Sequence, residues 1–409
     1  MVRKRFVSVA ATAAAASMIL AACGGGNSGE SPGGQSSAAV DSLSVLDYFN
    51  DEPTNTVVTG LLNKCGSSIG VKIKREAVPG SGLIAKVLQQ ASSKTLPDVL
   101  MLDNPDVKQI AATGALAPLN DLGISGEGLA QGVLDAATTD GKLYALQPGA
   151  NTIALFYDKD VLKKAGVEPP KTWDELKSTA KQLTVKGRYG FAFDATNDYE
   201  GSWQFLPPMW TNGGDETDLT SPQVAEALQL WKDLVDAGSA SKSVVNWSQG
   251  DVNDQFIAGK AAMMLNGPWN IPSLKKAKVN FGVVTFPVKT PDQKPVAPLG
   301  GEAWTVPLTG DEARQAKAVE LVKCMGSDEN QLEWAKQNGV IPSKTSLSAQ
   351  FVQDNPDMKA FAEQTATARA RTGKLGEKWP EVAKVMYTGL QMVLTGQASP
   401  AEAMAKAGG

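Results

Sequence analysis

The chain of 409 residues contains no histidine. That absence excludes Ser-His-Asp and Cys-His catalysis, together with every histidine-ligated metal site. Cysteine is almost as scarce: apart from Cys23 near the start, only Cys65 and Cys324 remain, too few to build a zinc site by themselves. An exported chain would permit a disulfide between them, and two buried free thiols are the other reading; the sequence leaves both open. Charge has no dominant sign. With 39 basic and 43 acidic side chains the net charge is -4, which offers no basic footprint for nucleic acid. No metal and no cofactor are expected. Aromatic residues are only 6% of the chain, yet nine of them are tryptophan.

What is present begins at the N-terminus. Arg3, Lys4 and Arg5 precede "FVSVAATAAAASMILAA", an uncharged stretch rich in alanine. A basic segment followed by a short, weakly apolar one reads as a secretory leader over 1–22. A membrane-spanning helix would ask for a longer or more hydrophobic run. The stretch ends in Leu20-Ala21-Ala22-Cys23, which resembles the lipobox of bacterial lipoproteins. The resemblance implies that Cys23 becomes the first residue after cleavage and carries the lipid, so that acyl chains hold a soluble domain at the outer face of the cell membrane. The following "GGGNSGESPGGQSSAA" has almost nothing to bury, and 23–40 is expected to be a flexible tether spanning roughly 20 to 24 Å.

The remaining chain is long enough for two cores. "LSVLDYF" reads as a buried strand, "NTVVTGLLNKC" as a helix, "GVKIKREAV" as a strand, and "GLIAKVLQQASSKTLPDVLMLD" as a helix, a turn and a strand. "NTIALFYDKDVLKKAGV" passes from strand to helix, and Thr172 with Glu175 forms a capping pattern before another helix. "SPQVAEALQLWKDLVDAG" and "NDQFIAGKAAMMLNG" carry helical spacing, and the final stretch, from "ATARAR" onward, reads as wholly helical. Strands alternating with helices predict an α/β fold with mostly parallel sheets and ligand loops at the carboxyl ends of the strands.

Several phrases stand in a fixed order: "LPDVLMLDNPDVKQIAATGALAPL", "DGKLYALQPGANTIALFYDKDVLKKAGVEPPKTWDEL", "FLPPMWTNGGD", "FIAGKAAMMLNGPWN", "LGGEAWTVP" and "NGVIPSKTS". Over nearly all of residues 43–407 they resemble the extracellular solute-binding proteins of ABC importers, in particular the sugar-binding group that includes the maltose-binding protein. The resemblance implies a two-lobed α/β fold with a hinge, one lobe from 41–150 and 300–347, the other from 151–299 and 348–409. It also implies a ligand cleft between the lobes, a permease as membrane partner, and a monomer with no catalytic residues, whose closure reports occupancy.

A sugar presents apolar C-H faces and a rim of hydroxyls, so its site calls for flat aromatic rings and short polar side chains. Trp203, Trp269 and Trp379 match or lie near aromatic positions of the family's clefts and are the stacking candidates. Trp304 near the hinge is read equally as structural; Trp173, Trp231 and Trp334 have core spacing. Polar contacts are expected from the loop after the first strand, Phe49, Asn50, Asp51 and Glu52, and from Asp103 and Asn104 after another. By family position Asn151, Gly301 and Glu302 also face the cleft. The bland alternative for these acids is a helix cap or a solvated loop. Asn151 stands where the maltose binder has a glutamate, which puts maltose itself in doubt. Two rivals remain: a secreted glycosidase using Asp51 and Glu52, and the same architecture holding a glycerophosphodiester, polyamine or peptide. Arg371 and Lys374 near Trp379 give an anionic ligand its footing.

Overall fold

Leu43, Val45 and Leu46 are each at most 2% exposed, so the strand Ser42–Asp47 is covered on both faces. It lies inside a four-stranded sheet in the order Glu302–Thr305, Val99–Asp103, Ser42–Asp47, Lys72–Ala77. The computed structural model describes residues 39–409; the leader, Cys23 and nearly all of the tether lie outside the described residues. The run of apolar side chains in Val99–Asp103 marks a second interior strand. Lys72–Ala77 alternates between exposed and half-buried positions, and its lysines are the usual protection of a sheet edge. Ser42–Asp47 is parallel to both neighbours, whereas Glu302–Thr305 runs antiparallel to Val99–Asp103.

A second sheet holds Met263–Asn266, Ala154–Asp158 and Phe281–Val284, with Ala154–Asp158 in the centre. Both of its ladders are antiparallel, which corrects the expectation of mostly parallel pairing in each lobe; single parallel bridges add Tyr189 and Ala192 at its margin. Several helices separate Ala154–Asp158 from Met263–Asn266, and alternation of elements along a chain does not set strand direction when the connection is that long. The apolar interior forms two clusters. One surrounds the first sheet and continues to Phe156 of the second, which packs 5.6 Å from Phe361 between ring centroids. The other covers the opposite face of the second sheet, with Phe193 stacked 4.4 Å from Trp231.

The helices follow their sequence signals closely. In Thr54–Ser68 the buried residues Val58, Leu61, Leu62 and Cys65 form one stripe. The capping box is present as read: Thr172 Oγ1 accepts from the Glu175 amide at 3.2 Å while Glu175 returns to the Thr172 amide. Two helical readings fail. Within "NDQFIAGKAAMMLNG" the helix stops at Ile257, because Gly259 takes a left-handed turn at φ 67°, and Met263–Asn266 is a strand. The final stretch is not wholly helical either: Arg369–Ala370 pairs in parallel with Pro298–Leu299, turns follow, and helix returns only at Trp379–Leu394 and Pro400–Ala407. The open question of the cysteines is answered by a bond between Cys65 and Cys324, whose Cα atoms are 5.7 Å apart, joining helix Thr54–Ser68 to helix Glu312–Met325.

Candidate functional site

The carboxyl ends of the two interior strands of the first sheet deliver Tyr48, Asp103 and Asn104 to one place. Asp103 closes its strand and stands directly opposite Glu302 in the antiparallel ladder, a pairing of like charges that costs free energy unless other groups compensate. Tyr48 donates its hydroxyl to Glu302 Oε1 at 2.9 Å. Arg371 donates through Nη2 to Asp103 Oδ1 at 2.7 Å and to Asn104 Oδ1 at 3.1 Å. Its guanidinium carbon lies 4.6 Å from the centroid of the Trp203 ring. Trp203 belongs to helix Tyr199–Thr211, which is buried almost all round. From the start of that helix Tyr199 reaches Asp106 at 3.5 Å.

Burial dominates the electrostatics. Glu302 and Asp106 are both pushed up to about 7, first by desolvation and next by the charge of Asp103; Arg371 pulls Asp106 back, as the Tyr48 hydroxyl and Arg371 do for Glu302. Tyr48 and Tyr199 are raised by burial and then by neighbouring carboxylates. Around one guanidinium there are thus three carboxyl groups, two phenols and an amide. Such a set gives and accepts hydrogen bonds at many angles.

Backbone crossings support this cluster. Asn151 and Gly300 exchange both amide bonds, at 3.0 and 2.9 Å, where the chain passes from the first sheet toward the second. Gln147 donates to the carbonyls of Gly149 and Gly300 at 2.9 and 3.1 Å and accepts from Asn104 at 3.4 Å. Gly301 has φ 130°, and a Cβ there would come within 2.3 Å of Gln147 Nε2 and 2.5 Å of the Gly149 carbonyl. Only glycine fits that crossing without a shift. Below Tyr48, the fully buried Asp47 receives a two-pronged bond from Arg75, at 2.6 and 2.7 Å, while the same guanidinium holds the Phe49 carbonyl and Asn55. This fork fixes the turn that presents Tyr48.

The expected residues divide accordingly. Asp103, Asn104, Asn151, Gly301, Glu302 and Trp203 come together. Trp203 is only 5% exposed and one face of its ring is already taken by Arg371, so it is a wall rather than an open stacking platform. Trp269 is half-buried, the most open of the three stacking candidates, and its backbone passes close to Gly339. Trp379 corrects the sequence reading: it is 1% exposed in the second core cluster, where its helical neighbours Ala383 and Met386 are also buried. Phe49 likewise turns inward, edge-on to Trp334 at 5.3 Å. Asn50, Asp51 and Glu52 are exposed, and Glu52 binds Asn55 and the Thr56 hydroxyl and amide at the start of helix Thr54–Ser68. It serves as a helix-terminal acceptor, the bland alternative. Trp304 is buried in the first sheet and its backbone exchanges bonds with Leu146; Trp173, Trp231 and Trp334 are buried as expected.

Sequence reasoning missed Tyr48, Asp106, Gln147 and Tyr199 as members of the cluster, and treated Arg371 only as a hint of an anionic ligand. For Tyr48 a signal existed, since it immediately follows the first strand. For Arg371 the helical reading of its segment hid it.

The profile of the family described as bacterial extracellular solute-binding protein matches residues 61–360. The diacetylchitobiose binding protein DasA of Streptomyces coelicolor is 29% identical over 357 residues, covering 81% of this chain and 80% of its own. Among solved structures, the GacH receptor of Streptomyces glaucescens, determined unliganded and with acarbose, superposes with a TM-score of 0.81 at 27% identity, covering 91% of this chain and 97% of that one. UgpB of Mycobacterium tuberculosis, in complex with glycerophosphocholine, superposes with a TM-score of 0.77 at 21% identity over 88% and 95% of the two chains, which speaks to the fold alone. Together with the fold, the match places this chain among the bacterial extracellular solute-binding proteins, the two-lobed binding components of ABC importers.

Proposed function

We propose that this protein captures an uncharged di- or oligosaccharide between its lobes and delivers it to a membrane permease by closing around it. The observation that carries the reading is the cluster of Tyr48, Asp103, Asn104, Asn151, Glu302 and Arg371 beside Trp203; the half-buried Trp269 is the indole proposed to stack on the sugar. Carboxylates and amides that accept from vicinal hydroxyls, donors of fixed direction, and an indole for the C-H face are what a polyol requires. Diacetylchitobiose and acarbose, the ligands named for two of the relatives, are of this class. The lobes are proposed as 41–150 with 300–347 and 151–299 with 348–409. The Asn151–Gly300 crossing and the packing of Phe361 on Phe156 support those limits. Anchoring through a lipid on Cys23 follows from the lipobox resemblance.

A second reading, an anionic solute such as a glycerophosphodiester, is favoured by one observation: Arg371 is buried and its Nε has no partner among the described residues. Calorimetric titration of the exported protein with neutral oligosaccharides, sugar phosphates, glycerophosphocholine, polyamines and peptides separates the readings. Heat from a neutral oligosaccharide is the expected result. Heat only from phosphorylated solutes would replace the sugar reading with the second.

A further inference from the structure

Arg371 is 4% exposed, and a cation so far from water must be compensated. Nη2 is satisfied by Asp103 and Asn104, and the plane of the group lies over Trp203. Nε has no partner among the described residues. A buried donor left without a partner is costly; Nε is closed to solvent here, and an oxygen of a ligand that enters when the lobes part would satisfy it. Both a hydroxyl and a phosphate oxygen could do so, and the choice between them is electrostatic.

The guanidinium does not face such a ligand as a free positive charge. Asp103 lies against it in an ion pair with little solvent to screen it, 24% of the carboxylate side chain being exposed against 5% of the guanidinium. Glu302 stands opposite Asp103 across the ladder, and Asp106 opens the helix that follows the same strand. An anion approaching Nε meets one cation whose charge is already paired with Asp103. A neutral hydroxyl meets only an oriented donor. Desolvating a charged phosphate without a free counter-charge is unfavourable, and a specificity of this kind is achieved by repulsion as much as by attraction.

We propose that Asp103 is the specificity-determining residue of the cleft: by pairing with Arg371 it turns a buried cation into a neutral-solute donor, and it bars phosphorylated or otherwise anionic ligands. This rests on the cleft reading given above and adds to it the identity of the excluded class. Removing the charge of Asp103 while keeping its shape frees the guanidinium for an anion.

The test titrates the wild type and Asp103→Asn with inorganic phosphate, glycerol 3-phosphate and glucose 6-phosphate, alongside the neutral oligosaccharide panel. Asp103→Asn is expected to bind at least one of the anions tenfold or more tightly than the wild type, and Asp103→Asn combined with Arg371→Gln to lose that gain. Asp103→Ser serves as a second charge-removing variant should the asparagine variant be unstable, and near-ultraviolet circular dichroism shows that each variant is folded. Folded variants with no gain for any anion overturn the inference, as does a gain that survives loss of Arg371. If the wild type binds no neutral sugar, the functional reading fails whichever way Asp103→Asn behaves. If it binds one and the variants gain no anion, only the role of Asp103 falls.

Discussion

Arg371 covers the ring of Trp203, with its guanidinium carbon 4.6 Å from the ring centroid, although the two residues come from segments on opposite sides of the chain's hinge crossing at Gly300. Through Asp103 the same guanidinium reaches the first sheet. Nearby, Arg369 binds Glu216 at 2.5 Å and lies over Trp210, and Lys374 pairs with Asp215. Arg369 and Lys374 thus tie the segment to the region of Trp210 and Asp215, while Arg371 bridges from Trp203 of the same helix to the first sheet.

Truncating Trp203 to alanine removes a buried indole that Gly300 and Arg371 both pack against. A loss of about 3 to 5 kcal/mol is expected from the cavity and the abandoned cation. Chemical denaturation measures it, and Trp203→Phe should recover most of the midpoint.

Trp269 differs because it is half-exposed. Trp269→Ala should leave the melting temperature within about two degrees of the wild type and weaken binding of the best oligosaccharide by up to about tenfold, a stacking contribution of about 0.5 to 1.5 kcal/mol. Unchanged calorimetric affinity would remove this indole from the site.

Gly301→Ala places a methyl group against Gln147 and the Gly149 carbonyl at a φ of 130°. Strain of about 1 to 3 kcal/mol is expected, seen as a lower denaturant midpoint. Gly60→Ala, in a helix with nothing near the added carbon, is the control and should be neutral or slightly stabilising.

Glu302 keeps its proton to about 7 in the folded protein against an ordinary 4.5. Between those values the folded state holds more protons than the unfolded one, so stability is full below about 4.5 and declines as pH rises through 7. The loss is at most about 3 kcal/mol for a shift of this size. Asp106, also at about 7, adds in the same direction. Melting curves from pH 4.5 to 8 should show the decline in the wild type and a shallower one in Glu302→Gln.

Cys65 and Cys324 are 259 positions apart in sequence. A cross-link closing so long a loop stabilises by about 5 kcal/mol in the chain-entropy account. Adding a reductant strong enough to open it, or replacing both residues by serine, should lower the denaturant midpoint; equal midpoints would show that the bond contributes nothing.

Much of the site's floor was legible from local pattern. Asp103 and Asn104 follow an apolar strand, and Glu302 lies in the phrase "LGGEAWTVP", so strand ends and family position together pointed at them. Glu52 and Trp379 were misread because an acid after a strand and a tryptophan before a helix look the same whether they face a cleft, cap a helix or fill a core. Which of these occurs depends on neighbours remote in sequence: Thr56 and Asn55 took Glu52, and the second core cluster took Trp379.

By itself the sequence determined the histidine-free, two-core character of the chain, most of its strands and helices, and the capping box at Thr172, because these follow from composition and from periods of two and 3.6 residues that neighbours in the chain enforce. Tertiary structure alone decided the antiparallel second sheet, the bond between Cys65 and Cys324, and the meeting of Tyr48, Asp103, Glu302, Arg371 and Trp203. Those depend on burial and charge compensation among segments up to hundreds of residues apart, and no local pattern carries the free energy of a contact that only the completed fold can form.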